Sequence, residues 1–235
     1  MLGNSSPVRS GQLLADSRIQ ARQRRRAGKA FQRPLSEHNV RVYERLRTWL
    51  DAQTRPLLFD TGCGIGESSL QLARRFPDCA VLGADKSLQR LRQRGISEAQ
   101  PLAVVDRCCF VLLDLVDLWR LLAADGRHFA RLYLYYPNPW PKPAHRLRRW
   151  PLHPIWPTLL SLAPELELRS NWSVLAIEAE QALRAEGWLA ERSVLPAQLE
   201  PATPFEAKYQ ASGHPLWQVL GRQPASRERP GDRSG

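Results

Sequence analysis

Four apolar runs in this chain each lead to a polar side chain where a turn or helix takes over. "PLLFD" ends at Asp60, "CAVLGAD" at Asp85, "CCFVLLD" at Asp114, and "ARLYLYYPN" runs on to Asn138. Short apolar runs between helical patterns read as strands buried on both faces. The helical partners are "SSLQLARRF" (68–76), "KSLQRLRQR" (86–94), "LVDLWRLLAA" (115–124), "PIWPTLLSLA" (154–163) and "VLAIEAEQALRAEG" (174–187). Gly187 closes the last of these. "ELELRS" (165–170) and "PLWQVLG" (215–221) add two strands. Strands alternating with helices predict βαβ units, and so an α/β, doubly wound, mostly parallel sheet. In such a sheet ligands bind beyond the carboxyl ends of the strands. The four polar residues fall there.

The rest of the chain is arranged around that body. With 235 residues, one large domain is expected, spanning 34–222. It opens with a helix after Ser36 that puts Val40, Tyr43, Leu46, Trp49 and Leu50 on one face. Residues 1–33 are polar and poor in acids, with "RQRRRAGK" at 22–29, and read as a flexible basic arm suited to phosphates. A mitochondrial transit peptide has similar composition, but Asp16 and the clustering of the arginines argue against one. Residues 223–235 read as a disordered polar tail.

A formal charge of +11 and a pI near 10.2 point to a polyanionic partner. Cys63, Cys79, Cys108 and Cys109 lack metal-ligand spacing and lie in or beside strands. They read as reduced thiols of a cytoplasmic protein, with no metal site. No apolar run reaches the roughly 20 residues of a membrane helix, and no signal-peptide core follows Met1.

The chemistry is concentrated at the strand ends. Gly62, Gly64 and Gly66 form G-x-G-x-G between a strand and a helix, a spacing that differs from the dinucleotide fingerprint. Asp85 at the next strand end suits both hydroxyls of a ribose. Asp60 suits a cationic amino-acid group, and Asp114 an adenine exocyclic amine. One ribose, one adenine and one amino-acid end, with no pyrophosphate, describe S-adenosyl-L-methionine. Further along, Pro137, Pro139 and Pro141 stiffen the loop that carries Asn138 and Trp140.

"DTGCGIGE", "YYPNPWPK" followed by "HRLRRW", "RSNW" and "TPFEAK" together resemble the tRNA (guanine-N7-)-methyltransferase family, in order, from about Phe31 to Gly221. The resemblance implies a class I methyltransferase fold, Rossmann-like with about seven strands, the last antiparallel. It also implies a tRNA partner and methylation of N7 at guanine(46). Cofactor contacts carry over to Asp60, Asp85, Asp114 and Asn138, beside Gly62 and Gly64 of the glycine turn. Substrate contacts carry over to Lys142, Asn171 and Thr203 through Glu206. Asn138 and His145 are the implied catalytic positions. Lys142, Arg146, Arg148 and Arg149 form a basic cluster expected to hold phosphates.

Two positions depart from the family, which usually has Asp-Pro-Trp and Thr-Asp-Trp where this chain has Asn138 and Asn171. A carboxylate accepts from guanine N1–H and N2–H together, whereas an amide offers one acceptor and one donor group. An amide can accept from N1–H and donate to O6, or match adenine. Asn-Pro-Trp is also similar to the Asn-Pro-Pro-aromatic motif of amino methyltransferases. An exocyclic amine or a small molecule as methyl acceptor, and an inactive RNA-binding homologue, therefore stand as alternatives. The sequence leaves monomer and homodimer equally open.

Overall fold

The computed structural model describes residues 5–12, 14–26 and 31–225. Two helices precede the sheet, α1 (Ile19–Arg26) and α2 (Glu37–Asp51). Then β1 (Leu57–Thr61), α3 (Glu67–Arg75), β2 (Ala80–Asp85), α4 (Leu88–Leu91), β3 (Leu102–Val105), β4 (Cys108–Leu112), α5 (Leu115–Ala124) and β5 (Arg131–Tyr135) follow. The chain ends with α6 (Trp156–Leu160), β6 (Glu165–Ser170), α7 (Ser173–Ala185), β7 (Leu189–Val194), α8 (Pro204–Ala211) and β8 (Trp217–Arg222).

All eight strands form one sheet in the order β3-β4-β2-β1-β5-β6-β8-β7. The five central strands, β4-β2-β1-β5-β6, are parallel, as the strand–helix alternation predicts. β8 runs antiparallel between β6 and β7, and β3 forms an antiparallel hairpin with β4 at the other edge. Side chains alternate strictly between two cores. Phe59, Leu82, Val111, Leu132 and Leu168 face a core shared with α2, α5, α6 and α7. Leu58, Val81, Phe110, Tyr133 and Tyr135 face the other, with Leu72 of α3 and Leu91 of α4. The central strands are thus buried on both sides, which is why they read as continuous apolar runs.

Four elements went unseen in the sequence, one of them α1, in the segment expected as a flexible arm. β3 and β7 are edge strands with no fully buried side chain, so they escape the buried-strand pattern. Residues 196–204 read as a proline-punctuated loop, yet Pro204 occupies the first turn of α8, where its missing N–H is harmless. Two expected helices are shorter than their periodicity suggests. Pro157 confines α6 to five residues, and α4 gives way to a 3-10 turn ending at Gly95.

The N-terminal segment, expected as a flexible arm, lies against the body in its described part. Ile19 is buried in the larger core and the Gln23 amide donates to Pro151 O at 3.3 Å. Of the arginine run, residues 27–29, and the tail from 226 onward, lie outside the described residues. Cys63, Cys108 and Cys109 are buried and Cys79 half-buried, all four as free thiols. Among the described residues no helix is long and apolar enough to cross a membrane, and no cluster of metal-ligating side chains occurs.

Candidate functional site

The glycine turn is where the backbone leaves β1. Gly62 and Cys63 both donate to Ala84 O, at 2.8 and 3.0 Å, which pins the turn to the end of β2. Gly62, Gly64 and Gly66 all have positive φ, a conformation that glycine adopts without steric penalty. A Cβ on Gly64 would meet no atom within 4 Å, so this turn opens into free space. That space is a cavity of about 400 Å³ at the carboxyl ends of the strands. Its walls are Gly62, Gly64 and Ser68 on one side, Asn138 and Pro139 on another, and Thr203, Phe205 and Tyr209 of α8 opposite. The size suits a small-molecule site. A larger groove of about 800 Å³ lies at the other end of the sheet, against Arg131 and Glu165, the first residues of β5 and β6. It lacks the strand C-termini at which such folds bind ligands.

Asp60 and Asp85 sit just behind the cavity wall. Asp60 is buried, with Oδ2 accepting from Ser68 Oγ at 2.5 Å and Ser69 Oγ at 2.7 Å. Its Oδ1 has no hydrogen-bond partner. Burial pushes the Asp60 pKa up to about 6; the two serine hydroxyls oppose the rise and the Asp85 charge adds to it. An unpaired, buried carboxylate oxygen beside a cavity is a fitting partner for a cation. Asp85 accepts from Gly64 N at 3.0 Å and from Ser87 N at 2.8 Å, and the Arg90 guanidinium lies 3.6 Å away.

Asp114 belongs to the same sheet end, since Leu112 pairs with Asp85 in the β2–β4 ladder. Its Oδ1 has partners within the protein. It caps α5 by accepting from Val116 N and Asp117 N, and it accepts from Arg33 at 2.8 Å. The expected convergence of four polar residues therefore holds for Asn138 on the wall and for Asp60 and Asp85 behind it. Asp114 does not line the cavity, and its Oδ1 caps α5 and pairs with Arg33, because a carboxylate at the first position before a helix finds free N–H groups nearest.

The proline loop leaves β5 under backbone strain. Tyr136 and Trp140 have φ of 49° and 43°, a left-handed conformation uncommon for bulky residues. Asn138 lies between them, exposed, with its Oδ1 accepting from Trp140 N at 3.1 Å. Trp140 is half-buried and faces away from the cavity lining. The Arg148 guanidinium packs over its ring at 4.8 Å and the His145 ring meets it edge-on at 5.7 Å. Lys142 and Arg148 are exposed, but the basic cluster is split. Arg146 pairs with Asp16 at 3.1 Å, and Arg149 is fully buried, so Arg149 is closed to a phosphate.

The remaining sequence-derived residues divide likewise. Thr203 lines the cavity and caps α8, its Oγ1 accepting from Glu206 N at 3.0 Å. Glu206 itself is buried: both oxygens accept from Arg169 Nη1, at 2.9 and 3.1 Å. Arg169 also donates to Glu167 and lies 4.6 Å over the Tyr135 ring. A substrate contact through the Glu206 carboxylate is thus not available in this arrangement, because the buried guanidinium requires its charge. Asn171 lies off the cavity, with Nδ2 3.4 Å from His214 Nδ1. Phe205, inside the predicted 203–206 stretch, lines the cavity, whereas sequence reasoning missed Tyr209 and Tyr136, whose rings complete the aromatic wall; the i, i+4 spacing of Phe205 and Tyr209 was the available signal.

Comparison with known proteins bears on the family and the fold. The family model described as "Putative methyltransferase" matches residues 54–219. A tRNA (guanine-N(7)-)-methyltransferase of Bordetella pertussis is 28% identical over 70% of this chain and 66% of its own length. The protein of the same name from Streptomyces coelicolor is 29% identical over 77% of this chain and 69% of its own. The chain thus spans about two thirds of the length of these relatives. Among solved structures, an antibiotic-related methyltransferase matches with a TM-score of 0.54 at 14% identity, covering 83% of this chain and 97% of its own. A 16S rRNA (adenine(1408)-N(1))-methyltransferase from Catenulisporales acidiphilia, with its cosubstrate SAM, matches at TM-score 0.52 and 15% identity, covering 79% and 92%. At these identities the structural likeness concerns the fold.

Proposed function

The chain belongs to the methyltransferase family whose model covers residues 54–219, and on that premise we propose that it transfers a methyl group from S-adenosyl-L-methionine to N7 of a guanine in tRNA. The observation that carries this reading is the meeting of the glycine turn 62–66 and the proline loop 137–142 at one cavity. The relatives' names supply the acceptor.

The residues present fit the cofactor. Gly64 leaves open space where a side chain would intrude, and the unpaired Oδ1 of Asp60 suits an ammonium. Asp85 presents a carboxylate for ribose hydroxyls once Arg90 swings aside. When bound, the cofactor supplies an electrophilic methyl on a sulfonium. Guanine N7 offers a lone pair and carries no proton, so no side chain has to act as a base. Catalysis then rests on orientation, which is worth up to about 7–11 kcal/mol. Asn138, Thr203 and the aromatic wall of Phe205 and Tyr209 would orient the base, while Lys142 and Arg148 hold backbone phosphates. His145, set edge-on to Trp140, shapes the loop and moves no proton in this scheme.

The conformation of Asn138 suits a guanine edge. Its Oδ1 already accepts from Trp140 N–H, which leaves Nδ2 as the end best placed to meet an acceptor such as guanine O6. A site built for an amine would use the second lone pair of that oxygen. The test is mass spectrometry of nucleosides from tRNA incubated with the protein and methyl-labelled cofactor. Labelled N7-methylguanosine is expected. Label on an exocyclic amine would transfer the assignment to the amino class. No label at any salt concentration, with no cofactor binding by calorimetry, would leave an RNA-binding homologue.

A further inference from the structure

Arg149 is an unusual residue to find fully buried, since a guanidinium loses much hydration on leaving water. Every nitrogen of its side chain has a partner. Nε donates to Pro139 O at 3.0 Å, with Trp140 O at 3.3 Å, and Nη2 donates to Trp140 O at 3.0 Å. Nη1 pairs with Glu178 Oε1 of α7 at 2.7 Å, and Nη2 also donates to Gln12 Oε1 at 3.1 Å. The Trp172 ring, next to Asn171, lies 4.6 Å beneath it. The guanidinium thus grips the two carbonyls that immediately follow Asn138.

The N-terminal segment completes this grip. Gln12 Nε2 donates to Glu178 Oε1 at 3.1 Å, and Asp16 N to the same oxygen at 3.3 Å. Ser10 Oγ donates to Pro141 O at 2.6 Å, two residues past Pro139. Val8 packs on the small cluster of Trp172, Val174 and Leu175. Ser5 reaches the turn after α8, where its carbonyl lies 3.0 Å from His214 Nε2. Three consecutive carbonyls of the strained loop, at 139, 140 and 141, are therefore held from one side by Arg149 and Ser10.

We propose that Arg149 is a positioning residue for the methyl-transfer site, setting the 137–142 loop, and that Ser10, Gln12 and Asp16 of the N-terminal segment act as a strap that completes its coordination. The positive φ of Trp140 persists because these contacts over-determine it. Asn138 Oδ1 bonds Trp140 N, so the geometry of the guanidinium passes to the cavity wall through a single turn. The kinetic part of this inference rests on the function proposed above; the loop-geometry part does not.

The test uses the full chain with Gln12→Ala, Ser10→Ala and Arg149→Lys. Arg149→Lys keeps the charge opposite Glu178 but cannot hold two carbonyls and a second acceptor at once. Turnover on tRNA should fall at least fivefold in Gln12→Ala and at least twentyfold in Arg149→Lys. KM for tRNA and Kd for the cofactor should stay within about twofold. Amide hydrogen exchange in peptides covering 138–149 should speed up at least tenfold in all three variants, while the sheet strands keep their protection. If Arg149→Lys restores wild-type turnover, the residue merely balances the Glu178 charge and the proposal fails. It fails equally if Gln12→Ala and Ser10→Ala leave both turnover and loop exchange unchanged, an outcome readable even if Arg149→Lys does not fold. Should the wild-type protein methylate no RNA, the functional reading falls, and the exchange measurement still decides whether the strap sets the loop.

Discussion

Cofactor affinity should carry the titration of Asp60. With Oδ1 unpaired and the whole carboxylate buried, its pKa rises from an ordinary 3.8 to about 6. An acid raised in this way binds more protons in the folded than in the unfolded chain between those two values. Its ionisation therefore makes the free protein less stable as pH climbs through about 6, and the loss is relieved as pH falls toward 4. The difference of about two pH units corresponds to roughly 3 kcal/mol at neutral pH. A ligand ammonium beside Oδ1 recovers that energy only if the carboxylate is charged. About nine-tenths is ionised at pH 7 and about one-tenth at pH 5, so Kd should weaken roughly tenfold, or about 1.4 kcal/mol, over that interval. Calorimetric titration with S-adenosyl-L-methionine from pH 5 to 8, in buffers of differing ionisation enthalpy, measures both the affinity and the proton released near pH 6. Asp60→Asn should bind more weakly at pH 7, show a flat profile, and be more stable than wild type above pH 7. A wild-type Kd that does not change with pH, or an equal slope in Asp60→Asn, would refute the reasoning.

Other outcomes follow from the packing. Glu206→Ala should lower stability by about 3–5 kcal/mol in urea unfolding, because it leaves the buried Arg169 with Glu167 as its one remaining carboxylate partner; a loss under 1 kcal/mol would contradict the pairing. Gly66→Ala should cost about 1–3 kcal/mol by thermal melting, since φ is +79° and a Cβ would stand 2.5 Å from the Phe110 ring. An unchanged melting temperature would show that the turn can relax. If Lys142 and Arg148 each touch a phosphate, replacing both with Ala should reduce the salt dependence of tRNA binding by about two units of slope. An unaltered slope would remove them from the backbone contact.

The parts of the site legible in the sequence were those fixed by local chemistry. A glycine-rich turn after a strand, an acid at a strand end and prolines flanking Asn138 each declare themselves within a few residues. Tyr209 was harder to see because α8 contacts the cavity from a distant part of the chain. Glu206 and Arg149 carried the wrong expectation for a related reason. A charged side chain in a basic or motif-like stretch looks exposed until its partners, here Arg169 and Glu178, are known.

By itself the sequence determined the doubly wound sheet, since strands buried on both faces must be continuously apolar and alternate with helices. It also determined that the polar strand ends share one edge of that sheet. Only the tertiary structure decided which of those groups are free to meet a ligand. Asp60 keeps an unpaired oxygen, whereas one oxygen of Asp114 is taken by a helix end and Arg33, and Arg149 is enclosed by Trp172, Glu178 and Gln12. Hydrogen-bond partners and burial are set by contacts across more than a hundred residues of chain, from Gln12 to Arg149 and Glu178, and local pattern carries no record of them.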